Sequence, residues 1–245
     1  MIYQENNYGI FFTADTHFSQ ERTLTFSCRP FDNIREMDQY LIDQWNSVVG
    51  PDDIVYHLGD FGNANICERL NGRIKLVLGN YEYNPDKNML VTEYSTEISS
   101  ELTKIETQLT DSAAYNYDRL HEYQNFMKES FGFNEIIFPE DFYSYAAHNK
   151  NHVPAVDLDH FIPALNTSVA DGLYLAHVPS EIEKVSKNKD FEFGLFGHIH
   201  KLQMVRRYGL NVGIDCHNFR PVSLDQVLFY KNAILNNYDN EVFGD

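Results

Sequence analysis

Six short apolar runs in this chain stop on the same kind of residue. "GIFFTA" (Gly9 to Ala14) runs into Asp15, with His17 two positions on. "DIVYHLGD" ends on Asp60 and "RIKLVLGN" on Asn80. "GLYLAHVP" carries His177, "FEFGLFGHIH" carries His198 and His200, and "GLNVGID" ends on Asp215, with His217 just beyond. Apolar runs of this length closed by Gly and polar residues read as strands spilling into turns. In open α/β sheets, ligands collect beyond the carboxyl ends of the strands. Carboxylates, an amide and imidazoles at six such ends therefore point to one site rather than six accidents.

The segments between the runs fix the class. Ile34, Met37, Leu41, Trp45 and Val48 fall on one helical face, so a helix is expected over Asp32 to Val49. Asn33 with Glu36 resembles a capping box, and Gly50-Pro51 closes the helix. Asn65 to Leu70 reads as a short helix, whereas Ser223 to Ala233 reads as a final helix or strand. Strands separated by helices indicate an α/β architecture. The stretch from about 84 to 170 is polar and helix-like, then irregular, and is expected to be an insertion into a single domain spanning 1–245.

Charge and cysteine usage narrow the functions. A net charge of −17 repels nucleic-acid backbones and anionic membranes, so long duplex nucleic acid is an unlikely substrate. It leaves room for a phosphate ester if bound cations reverse the field locally. No apolar stretch approaches the length of a membrane span. The opening residues, Met1 to Asn6, lack a basic n-region and a long apolar h-region, so no secretory signal is expected. Three well-separated cysteines, Cys28, Cys67 and Cys216, argue against a disulfide framework and for a reducing compartment, with the cytoplasm as the default.

Each motif is weak alone. A chain of this composition yields roughly one Asp-x-His by chance, and this one has two, at Asp15–His17 and Asp215–His217. The ordered series carries the weight: Asp-x-His, Gly-Asp, Gly-Asn, a lone His, then Gly-His-x-His. In that order the chain resembles the calcineurin-like metallophosphoesterase superfamily, from Phe12 to Asp215. Finer text is similar to a bacterial and phage branch of it: "DTHF", "RPF", "EMDQYLIDQWNSVVGPDDIVYHLGDFG", "LNGRIKLVLGN", "GHIHK" and "NVGID…RPVSLDQ".

The resemblance implies a four-layer α/β/β/α sandwich with two mixed β-sheets and a pair of divalent cations. By the family's pattern the first cation takes Asp15, His17, Asp60 and His200, and the second takes Asp60, Asn80, His177 and His198. Two dications roughly 3.5–4 Å apart can clamp both oxygens of an in-line displacement at phosphorus. Asp60 is the expected bridge, and a hydroxide between the cations is the expected nucleophile. Mixed N and O donors without thiolate suit Mn²⁺, with Fe, Zn²⁺ or Ni²⁺ as alternatives. The expected activity is hydrolysis of a phosphodiester or a small nucleotide-like phosphate ester.

The text departs from the family at Tyr81, where the pattern has a histidine that assists near the phosphate. A phenol with a pKa of about 10 can donate a hydrogen bond but cannot act as a cation near pH 7. Asp60, Asn80 and Tyr81 are the candidate catalytic residues. A weakened, metal-bound scaffold that binds without turnover is the alternative, and a single-strand nuclease is a third reading. Arg29, Arg220 and His217 are candidate phosphate holders, each with a structural alternative as loop anchor or packing residue. His57 reads equally as a donor behind the ligands or as a core histidine. Lys201, Arg206 and Arg207 form a small basic group after the metal motif. His148, His152 and His160 are expected on the surface, and "FPEDFYSYAAH" as core packing or a wall over the site. Oligomeric state is not legible.

Overall fold

The computed structural model describes residues 8–79, 81–82, 125, 128–130, 132–137, 173–187 and 192–243. Nine strands are described: β1 (Ile10–Thr13), β2 (Ile54–His57), β3 (Arg73–Val77), β4 (Glu135–Ile137), β5 (Leu173–Leu175), β6 (Phe193–Phe196), β7 (Val205–Arg206), β8 (Gly209–Asn211) and β9 (Val222–Ser223). The described helices are α1 (Arg22–Phe26), α2 (Ile34–Asn46), α3 (Pro179–Val185) and α4 (Leu224–Asn236), with short 3₁₀ turns between them. The protein is α/β, with two mixed sheets. One is ordered β4-β3-β2-β1-β9 and the other β5-β6-β8-β7. β1 to β4 run parallel, and β9 is antiparallel to β1. In the second sheet only β7 is antiparallel.

All six apolar runs are strands, and their alternation sorts the core. Side chains on a strand point to opposite faces with period two. Phe12, Tyr56 and Val77 therefore leave one face of the first sheet and pack with Leu175, Leu195 and Leu210 of the second. Val55, Ile74 and Leu76 leave the other face and pack with Met37, Leu41 and Trp45 of α2. The outer face of the second sheet carries Tyr174 and Phe196, which pack with Ile182 of α3. Trp45 is buried with its indole N–H donating to the Asn71 carbonyl at 2.9 Å. Truncating so large a buried side chain costs about 3–5 kcal/mol.

Element boundaries depart from expectation at caps. α2 begins with Asn33 as its cap, the Asn33 side chain accepting from the Glu36 N–H at 3.0 Å. The Glu36 carboxylate reaches back to the Asp32 N–H instead of that of Asn33. The helix ends at Asn46, short of Val49, because the N–H groups of Val48 and Val49 both turn back to the Trp45 carbonyl. The short helix after β2 is a 3₁₀ turn over Ala64–Arg69. Ser223 resolves the ambiguous C-terminal stretch: it caps α4 through a box with Gln226, which makes that stretch a helix. Within the expected insertion from about 84 to 170, Glu135–Ile137 pairs with β3 at the edge of the sheet among the described residues. Most of its other positions lie outside the described residues, among them His148, His152, His160 and "FPEDFYSYAAH".

Parallel strands put their carboxyl ends on one side. The two sheets meet there through a bridge between Ala14, after β1, and Gly213, after β8. The Ile214 N–H donates to the Ala14 carbonyl at 3.1 Å. The turns that follow β1, β2, β5, β6 and β8 are thereby drawn to a single place.

Candidate metal centre

Two clusters form where those turns converge. Asp15, His17 and His200 make one, and Asp60, His177 and His198 make the other; within each, one ligand atom per residue lies within 4.8 Å of the others. Six of the seven sequence-predicted metal positions are thus assembled. The seventh, Asn80, lies outside the described residues.

The backbone at these positions is unusual. Asp15, His17, Asp60, His198 and His200 have φ of 56°, 49°, 58°, 71° and 48°, in the left-handed region that non-glycine residues rarely enter. Such conformations persist only where surrounding structure enforces them, and they gather at functional sites. Enforcement is visible in the lacing of the turns. Asp15 N–H donates to the Gly59 carbonyl and His17 N–H to the Asp60 carbonyl, both at 3.0 Å. A Cβ on Gly59 would lie 2.5 Å from the Gly79 Cα and 2.7 Å from the His177 Nδ1, so only glycine lets the two turns approach this closely.

Three of the cluster histidines have their tautomer fixed by an acceptor on Nδ1. His17 Nδ1 donates to Gln20 Oε1 at 2.7 Å, His177 Nδ1 to the Leu58 carbonyl at 2.7 Å, and His200 Nδ1 to Asp215 Oδ2 at 2.7 Å. Ser27 Oγ also lies 3.0 Å from His200 Nδ1. The Nε2 atoms are left facing the clusters, the arrangement by which outer partners orient metal-ligating imidazoles. His17 Nε2 is fully buried and has no hydrogen-bond partner among the described residues. A bare imidazole nitrogen beside carboxylates and other imidazoles fits a divalent cation of borderline softness. In the second cluster His198 Nδ1 lies 3.3 Å from His177 Nε2.

Asp60 stands between the clusters. Its Oδ2 is 3.6 Å from His17 Nε2 and 3.4 Å from His177 Nε2. Its Oδ1 accepts the Tyr81 N–H at 3.1 Å, which fixes the carboxylate plane. Behind it, the buried Glu82 carboxylate accepts from the N–H groups of Asp60, Phe61 and Gly79 at 3.0, 2.7 and 2.7 Å. Asp15 accepts the His198 N–H with both oxygens, at 3.0 and 2.9 Å, and so ties the two clusters together.

Burial and neighbouring charges set the protonation. Burial pushes the Asp15 carboxyl up to about 6 and lowers His17 to about 3. Burial alone would raise Asp60, but His177, His17 and His198 around it bring it below the ordinary carboxylate range. Burial opposes the charged form of His177, yet the Asp60 carboxylate overcomes this and lifts it to about 10. A cation entering there displaces that proton. Glu82 is raised to about 7 by burial and then by the charge of Asp60. Burial would also raise Asp215, but the hydrogen bond from His200 and the Arg29 guanidinium take it down to about 2.

The substrate candidates are placed elsewhere than expected. Arg29 is buried, and its guanidinium is spent inside the protein: on both oxygens of Asp215 at 2.9 and 3.1 Å, on the Thr16 carbonyl at 2.8 Å and on the Asp15 carbonyl at 2.5 Å. It is a strut under the site, not a hand for phosphate. Arg220 is exposed and donates to Gln44 of α2; among the described residues no hydrogen bond or ion pair of its side chain ties it to either cluster. His217 bonds the Asn211 carbonyl through Nε2 at 2.7 Å and packs on Tyr230, a packing role. Asp215 accepts from His200 Nδ1 and so orients that ring. His57 is a core histidine, packed on Trp45 and Phe61 with Nε2 on the Thr16 hydroxyl at 2.9 Å. Of the basic group, Arg206 pairs with Glu183 and Lys201 bonds the Cys28 carbonyl. Tyr81 is buried, its ring edge-on to His17 at 5.2 Å between centroids. Gln20 and Ser27 were missed, and no sequence signal marks them.

The chain matches no family model. It is 37% identical over 100 residues to the uncharacterized protein MJ1445 of Methanocaldococcus jannaschii, which covers 34% of this chain and 57% of that protein. The gene 66 protein of Mycobacterium phage L5 is 32% identical over 96 residues, 34% of this chain and 46% of that protein. The chain spans about half the length of these curated relatives. A solved structure, the protein of unknown function AQ665 from Aquifex aeolicus, covers 90% of this chain and 98% of its own at 17% identity and a TM-score of 0.44, a likeness too slight to carry argument. No helix among the described residues is long and apolar enough to cross a membrane.

Proposed function

We propose that this chain is a metal-dependent phosphoesterase, built as a four-layer α/β/β/α sandwich, that hydrolyses a phosphodiester or a small nucleotide-like phosphate ester. The observation that carries the reading is the position of Asp60, whose one oxygen lies within 3.6 Å of an imidazole from each cluster. Two cations held close together need a shared anion, and Asp60 lies beside imidazoles of both clusters.

Two divalent cations at these clusters, Mn²⁺ by preference, would supply Lewis acidity toward phosphoryl oxygens and bring the pKa of a water toward neutral. The chain's own part is to hold that arrangement. Asp15, His17 and His200 would grip one cation, His177 and His198 the other, with Asp60 common to both and Asn80 a further ligand for the second. Neither cluster offers a thiolate; Cys216 spends its Sγ–H on the His200 carbonyl. Tyr81 is the candidate hydrogen-bond donor toward the leaving group. The three free cysteines suit a reducing compartment such as the cytoplasm.

The test is a metal-reconstituted panel: bis-p-nitrophenyl phosphate, p-nitrophenyl phosphate, cyclic nucleotides and short oligonucleotides, with Asp60→Asn as control. Mn²⁺-dependent turnover that Asp60→Asn abolishes is expected. Two Mn²⁺ per chain without turnover on any ester would favour the scaffold reading, which the neutral, buried Tyr81 supports. Oligonucleotide cleavage that falls with salt would favour the single-strand nuclease. Turnover of Tyr81→Phe equal to wild type would remove the phenol from the mechanism, and a gain in Tyr81→His would show that the missing positive charge limits rate.

A further inference from the structure

Acids dominate the walls of this site: Asp15, Asp60, Asp215 and Glu82 all lie in or directly behind it, and the Arg29 guanidinium is consumed beneath it. One cation at the rim is unspent. Arg22, the first residue of α1, is exposed and makes no hydrogen bond or ion pair among the described residues. It is nevertheless held in place. Its guanidinium carbon lies 4.8 Å from the centre of the Tyr81 ring and 5.2 Å from that of Phe26. Both rings are seated on candidate ligands: Tyr81 on His17 at 5.2 Å, and Phe26 on His200 at 4.9 Å and on His17 at 5.9 Å.

A guanidinium lying over aromatic faces gains cation–π attraction while its N–H donors remain available at the edge. Two rings locate it, so little further ordering is required when an anion arrives. Planar paired donors match two oxygens of one phosphoryl group. Resting on the phosphoesterase reading above, we propose that Arg22 is the residue that binds the non-bridging phosphoryl oxygens of the substrate, with Tyr81 and Phe26 as the platform that aims it. The site then selects an anionic phosphate ester over a neutral ester of the same shape.

The experiment measures binding of inorganic phosphate to the Mn²⁺-loaded protein by calorimetry, beside the Mn²⁺ stoichiometry and the melting temperature, for wild type, Arg22→Lys, Arg22→Gln and Phe26→Leu. Arg22→Gln is expected to weaken phosphate about tenfold or more, the scale of a lost charge-assisted hydrogen bond, with two Mn²⁺ still bound and melting unchanged. Arg22→Lys restores part of the affinity, and Phe26→Leu loses a few-fold. On any ester turned over, Arg22→Gln raises KM more than it lowers kcat. Equal phosphate affinity in wild type and Arg22→Gln, with Mn²⁺ intact, overturns the role of Arg22 and leaves the metal reading standing. Failure of the wild type to bind two Mn²⁺ overturns both.

Discussion

The two halves of the centre are held by different means. Around His17 and His200 the outer partners are side chains: Gln20 behind His17, with Asp215 and Ser27 behind His200. Behind His177 the partner is a backbone carbonyl, that of Leu58, and His198 stands exposed. A side-chain acceptor, especially a carboxylate, raises imidazole basicity more than a carbonyl and can be tuned or lost by substitution. A carbonyl belongs to the strand end and persists through any substitution of its side chain. The first half should therefore bind its cation more tightly but be the easier half to damage; the second should be weaker and robust.

Asp60→Asn is expected to do the greatest harm, because it serves both halves. Mn²⁺ stoichiometry by calorimetry should fall below two, with turnover reduced by more than the roughly 10–100-fold that loss of an outer partner costs. Two unperturbed binding steps in this variant would break the comparison at its root, since neither half would then depend on a shared carboxylate.

Next comes Arg29→Ala. The ion pair with Asp215 is buried, with Arg29 Nε 2.9 Å from Asp215 Oδ1. Removing one partner of such a pair leaves an uncompensated charge and costs about 3–5 kcal/mol. Chemical denaturation should show that loss, together with weakened binding at the first half, because Asp215 is freed from its position behind His200. A variant as stable as wild type would return Arg29 to the list of phosphate ligands.

Asp215→Asn and Gln20→Leu separate the halves more finely. Each should weaken one of two Mn²⁺ binding steps by roughly 10–100-fold and leave the other in place. Leu58→Val should alter neither, since the carbonyl that orients His177 stays. An equal loss at both steps in Asp215→Asn would show that the halves behave as a unit.

The contrast also explains what could be read from the sequence. Asp15, His17, Asp60, His177, His198 and His200 were legible because each follows an apolar run, and parallel strands bring the ends of such runs to a common edge. Their supports were not. Arg29 and Asp215 lie 186 positions apart, and Gln20 has no pattern that marks it as the acceptor for His17. Arg29 and His217 looked like substrate residues because composition cannot separate a buried strut or a packing ring from an exposed hand. β4 was hidden because, unlike the equally short β5 and β8, its run closes on no ligand-type residue and lies inside the stretch read as an insertion.

The last comparison sets a histidine of the site beside one outside it. His17 and His57 are both lowered to about 3, in each case chiefly by burial. His57 Nε2 is bonded to the Thr16 hydroxyl rather than turned to either cluster, although the charges of Asp60, His177 and His17 act on it; its Nδ1 is buried without a partner among the described residues. Its folded pKa lies below its unfolded value of about 6.5, so the unfolded chain takes up a proton that the folded chain refuses. Stability is therefore fully present above pH 6.5 and is lost as pH falls toward 3, by about 1.4 kcal/mol per pH unit for this one group. His57→Gln, whose amide can still donate to the Thr16 hydroxyl, should lose about one proton's worth of that slope in urea titrations between pH 6 and 4. Saturating Mn²⁺ should suppress the matching contribution of His17 by competing for its Nε2, and should act on His57 only through the charge around Asp60, a smaller effect. An identical metal response from both histidines would mean that burial, rather than ligation, is all that distinguishes the centre from the core beside it.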